Sequence, residues 1–132
     1  MTMIFTITPI YALAVALIYL ALWLRVTKMR AELDLSIGDN GNQELLLRIR
    51  QHGNCAEWST FILILMILAE GTGTPALHLH IAGALLLLGR IAHPFGLKAE
   101  TTSHVLRLVG NGANILSALT VMVWLFIKLL DL

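Results

Sequence analysis

Four apolar segments, Ile4–Leu24, roughly Gln51–Ala69, Ala76–Ala92 and Val105–Leu130, occupy most of a 132-residue chain. Each approaches or exceeds the roughly 20 residues that an α-helix needs to cross a hydrocarbon core of about 30 Å. Charged residues make up 13% of the chain and hydrophobic ones 58%. A soluble domain carries about 25% charge, and one of this size has too little interior to hide so much apolar surface. The reading is an all-α integral membrane protein: one domain, residues 1–132, built as an antiparallel four-transmembrane-helix bundle. Helices are expected at about 4–25, 43–70, 76–95 and 104–130. The first segment lacks a basic start and a small-residue cleavage site, and Arg25, Lys28 and Arg30 follow it, so it reads as a retained helix.

Basic residues fix the expected topology. Of nine lysines and arginines, Arg25, Lys28, Arg30, Arg48 and Arg50 flank the first connection, and Arg90, Lys98 and Arg107 flank the third. The EGTGTP turn between helices 2 and 3 has none, and Lys128 stands alone near the C-terminus. The positive-inside rule then places both basic connections in the cytoplasm and both termini on the periplasmic side. These charges report orientation and give no reason to expect a nucleic-acid partner. Cys55 is the only cysteine, which excludes an intrachain disulfide.

Chemistry concentrates on helix 2. At 100° per residue, Arg50, Asn54, Glu57 and Phe61 share an arc of about 60°, with Arg48 and His52 nearly opposite. Glu57 lies about 10 Å deeper than Arg50. An ionised carboxylate facing lipid there costs several kcal/mol, so it is expected to face protein, pair, or sit in a wet pocket. Helix 3 ends in GRIAHPFG, with Arg90 and His93 on one face before Pro94. Helix 4 carries Arg107, Asn111 and Asn114, repeating the spacing of Arg50, Asn54 and Glu57. Three polar stripes descending from the basic end predict a pocket lined by helices 2, 3 and 4. Plainer roles stand beside each: snorkelling arginines, and Asn111 and Asn114 as interhelical hydrogen-bond donors. His78 and His80, two apart, do not share a helix face and make a poor metal site.

The run IGDNGNQELLLRIRQHGNCAEW at residues 37–58, followed by LGRIAHPFG at 88–96, resembles bacterial members of the membrane-associated eicosanoid and glutathione metabolism (MAPEG) family. The resemblance covers all four helices and is most specific in helix 2. It implies a multi-pass protein of the bacterial inner (cytoplasmic) membrane, assembled as a homotrimer with glutathione bound between subunits near the cytoplasmic face. Glutathione would be the co-substrate of a transferase or peroxidase-like reaction with a lipophilic electrophile. Carried over by motif, Arg50, Asn54 and Glu57 correspond to glutathione-contacting residues, and Arg90 and His93 to a similar pair on the third helix. One of Arg25, Lys28 and Arg30 would reach a neighbour's site. The thiolate-stabilising arginine aligns with His104 or Arg107, and Arg107, permanently charged at the head of its stripe, is preferred.

The chain departs from the family pattern where Trp58 and Thr60 replace a Tyr and a Pro, and where Leu97 replaces a Tyr. Its only tyrosines, Tyr11 and Tyr19, lie in helix 1. Two rival readings remain open: a four-helix proton-coupled exporter of lipophilic cations that uses Glu57, and a catalytically silent protein of the same fold.

Overall fold

A computed structural model describes residues 5–98 and 100–130 and contains four helices: α1 (Thr8–Glu32), α2 (Gln43–Gly71), α3 (Ala76–Gly96) and α4 (Val105–Leu130). All four are long and apolar enough to span a membrane. Three match the expected bounds to within a residue. The first runs seven residues beyond the expected end, because nothing breaks it at Arg25. Lys28 and Glu32 pair one turn apart at 3.8 Å, and the chain turns only where Asp34 takes a left-handed φ of 52°. The expected start at residue 4 lies outside the described residues.

Local chemistry sets the other boundaries. The α1–α2 loop reverses through Asn40 (φ 49°) and Gly41 (φ 78°). Asp39 Oδ1 accepts from the Gly41 N–H at 2.9 Å, and Asn42 caps α2 by accepting from the Leu45 N–H at 3.0 Å. Glu44 occupies the first turn of α2, where negative charge suits the helix dipole. Glu70, near the other end of α2, serves α1 instead. Its carboxylate accepts the backbone N–H groups of Thr6, Ile7 and Thr8 at 2.6, 2.7 and 2.8 Å. Those are orphan donors at a helix N-terminus, and no α1 side chain caps them. Glu70→Ala is therefore expected to lower stability by roughly 1.5–3 kcal/mol, the range for hydrogen bonds to a charged group. A reduced thermal midpoint in detergent, with Glu70→Gln intermediate, is the readout.

The helices surround a core of Val15, Ile62, Met66, Leu79, Leu86 and Val121. Around the bundle the order is α1, α2, α4, α3; among the described residues α1 and α4 do not touch. The closest pairing is α3 with α4, and small residues permit it. A Cβ on Gly89 would collide with the Asn114 side chain, one on Gly96 with the Arg107 backbone, and one on Gly110 would lie 2.9 Å from His93 Cα. A smaller cluster of Val26, Met29 and Leu45 binds α1 to α2 at the basic end.

Candidate anion site between α2, α3 and α4

Side chains from α2, the end of α3 and the start of α4 enclose a cavity of about 390 Å³ at the basic end of the bundle. From α2 come Gln43, Leu46, Leu47, Arg50 and Asn54; from α3 and the segment after it, His93, Leu97 and Lys98; from α4, Arg107 and Asn111. Five residues singled out from sequence, Arg50, Asn54, His93, Arg107 and Asn111, thus line one space. Three permanent cations face it and, among the described residues, no carboxylate does. Among the described residues none of Arg50, Lys98 and Arg107 forms an ion pair. Unpaired cations converging on a cavity favour a ligand with more than one negative group. Lys98 and Gln43 were not candidates from sequence. Lys98 follows the helix-ending Pro94–Gly96 stretch, where helical periodicity no longer says which way a residue points.

Arg90 does not reach this cavity as a free cation. It is 1% exposed. Its Nε donates to Asn114 Oδ1 at 3.2 Å, and its Nη1 to both the backbone oxygen and Oδ1 of Asn54 at 3.0 Å. One guanidinium thereby ties α3 to α2 and α4. Within the protomer Arg90 thus has a structural role, with both asparagines supplying acceptors, while its buried Nη2 has no partner there. Asn54 acts in both places: its oxygen is held by Arg90 while the residue lines the cavity.

Glu57 lies outside this cavity. With Trp58 and Phe61 it borders a separate hollow of about 230 Å³, and it is exposed in the protomer. Glu57 thus does not join the pocket between α2, α3 and α4 that the polar stripes predict. The buried face of α2 is Gln51, Cys55, Ser59, Ile62, Met66 and Ala69, a stripe at about 100–180° from Arg50 on the helix wheel, whereas Glu57 sits at about −20°. The helix-4 counterpart, Asn114, is fully buried, so the shared spacing does not give the two positions a shared environment.

The opposite face of α2 meets α1. Arg48 Nη1 donates to the Arg25 carbonyl at 3.1 Å, its Nη2 pairs with Glu44, and His52 stacks on Tyr19 with ring centroids 4.6 Å apart. Gln51, unremarked in the sequence, joins three helices. It accepts from Arg25 Nη1 at 3.1 Å and donates to the Pro94 carbonyl at 2.8 Å, satisfying an orphan acceptor where α3 ends. Gln51→Leu is expected to lower the thermal midpoint while leaving the cavity cations in place. At the far end, Tyr11 bonds His80 Nδ1 at 3.0 Å and His78 stacks on Trp124. Neither tyrosine lines the cavity.

The chain matches the MAPEG family over residues 8–127. It is 33% identical over 90 residues to inner membrane protein YecN of Escherichia coli K12, covering 68% of this chain and 69% of that one. The protein of the same name from E. coli O6:H1 matches to the same extent. No solved structure matches the chain.

Proposed function

The chain belongs to the MAPEG family, and from that premise we propose that it is a multi-pass inner-membrane enzyme that activates the thiol of glutathione for attack on lipophilic electrophiles. The observation that carries the reading is the cavity at the basic end, with Arg50, Lys98 and Arg107 unpaired around it. Glutathione has two carboxylates, and Arg50 and Lys98 take them as the outer cations. Asn54 and Asn111 offer amide groups to its peptide bonds. Arg107, at the start of α4, stabilises the thiolate, since a nearby guanidinium favours the charged form of a thiol. The thiol proton passes to water. The sulfur lone pair then forms the S–C bond as the electrophile's leaving group departs or its strained ring opens. The membrane setting suits an apolar second substrate.

The glutathione ammonium requires a carboxylate, and Glu57 supplies it once a neighbouring subunit closes the outward face of α2. An exposed carboxylate at that depth is costly in lipid, so the exposure of Glu57 supports a subunit contact over that face, as in the homotrimer with sites between subunits that the family resemblance implies. One of Arg25, Lys28 and Arg30, at the basic end of α1, would reach a neighbour's site. In this orientation the basic end is cytoplasmic and both termini are periplasmic.

Titration calorimetry of the detergent-solubilised protein with glutathione tests this reading. Saturable binding is expected, weakened at least tenfold in Arg50→Ala without change in thermal midpoint; absence of binding into the millimolar range contradicts it. The exporter reading has one observation of its own, the carboxylate of Glu57 beside Trp58 and Phe61, whose rings pack edge to face at 6.4 Å. It requires proton-coupled efflux of a lipophilic cation that is lost in Glu57→Gln and retained in Arg50→Ala.

A further inference from the structure

On the side of the bundle away from the cationic cavity, α1 and α3 part to leave a second space of about 470 Å³. At the far end α1 is drawn onto α3, where the Tyr11 ring lies directly over Gly83 and its hydroxyl bonds the His80 carbonyl at 3.1 Å. At the basic end α1 is drawn instead onto α2, through Val26 and Met29 against Leu45. The helix is thus pulled toward different neighbours at its two ends, and a wedge opens between α1 and α3.

The wedge is amphipathic along its length. Ile18, Ala21 and Leu22 form one wall and Ile91, Pro94 and Phe95 the other; Arg25 stands at the mouth, and Gln51 and the buried Arg90 also line the space. From Ile18 to Arg25 it runs about 10 Å along α1, the depth of the first part of an acyl chain beneath its headgroup. Arg25 spends one N–H on Gln51. It has no carboxylate within ion-pair distance among the described residues, so most of its five donors remain for a ligand. Lys28, one turn further on, has a side chain that is 78% exposed. An apolar slot open to the hydrocarbon, ending in a guanidinium at headgroup level, has the chemistry of a phospholipid with net negative charge.

We propose that this wedge holds the acyl chain of one anionic phospholipid per subunit, with its phosphodiester on Arg25. Such a site is distinct from the glutathione cavity and does not depend on that reading. The occupied wedge braces α1 against α3 beside Gln51, whose amide holds the end of α3.

Native mass spectrometry of the intact assembly tests the site, after equilibration in micelles containing phosphatidylglycerol or phosphatidylethanolamine. One phosphatidylglycerol per subunit is expected to survive delipidation, in preference to phosphatidylethanolamine. Arg25→Gln should reduce its occupancy about fivefold, the effect of one basic residue near an anionic surface. Ala21→Trp, which fills the slot, should remove both lipids with the assembly intact; Ile91→Trp does the same from the opposite wall if the first variant fails to fold. Equal retention of the two lipids, or adducts that persist in the filled variants, overturns the proposal. Dissociation of the assembly by both filled variants also overturns it, because the wedge would then be a subunit contact.

Discussion

Arg90→Ala is expected to destabilise the protein by about 1–3 kcal/mol, the cost of leaving buried acceptors without their donor. The substitution leaves the Asn54 and Asn114 oxygens without their donor, and it opens a void where α2, α3 and α4 meet. Arg90→Lys keeps the charge but cannot reach both asparagines with a planar fork, so it should recover only part of the loss. Thermal unfolding in detergent reads the effect directly. If Arg90 were instead a ligand clamp, Arg90→Ala would unfold at the native midpoint and lose only glutathione binding.

Gly96→Ala is the second large effect, and it acts on the site. The added Cβ would overlap the backbone nitrogen of Arg107 and lie 2.7 Å from its Cα. The obstacle is backbone, so no rotamer change relieves it and the start of α4 must move. Overpacking of this kind costs about 1–3 kcal/mol, and the displacement falls on the arginine assigned to the thiolate. The expected result is a fall in thermal midpoint together with a loss of thiolate stabilisation approaching that of Arg107→Ala. Gly112→Ala serves as the control. Its Cβ would meet nothing within 4 Å, and the change should be neutral or stabilise by up to about 1 kcal/mol, the helix-propensity difference. Loss of function in Gly112→Ala and not in Gly96→Ala would contradict the packing described.

Hydropathy made the four helices legible because each must present a long apolar surface to lipid whatever its neighbours are. Arg50, Asn54 and Arg107 were legible too, since helical spacing places charged residues on one face and the basic end groups them. What spacing does not reveal is which neighbour a face meets. Arg90 and His93 share a face, yet His93 lines the cavity while Arg90 meets two asparagines whose oxygens fall within its reach. Glu57 shares a stripe with Arg50, but the small and apolar residues Cys55, Ser59 and Ile62 mark the inward side of α2. Their pattern was the available sign that the stripe points outward. Lys98 lies beyond the end of a helix, and Gln51 finds the Pro94 carbonyl only through the tertiary fold.

The central claim is that the unpaired cations at the basic end, and Arg107 above all, stabilise a thiolate. Its most direct test is the ultraviolet difference absorbance of glutathione added to the purified protein at neutral pH, compared with Arg107→Ala and Arg50→Ala. The account predicts a saturable thiolate signal in the native protein. Arg107→Ala should lose the signal while still binding glutathione, and Arg50→Ala should need at least tenfold more glutathione to reach it. A thiolate signal of undiminished size in Arg107→Ala would contradict the account.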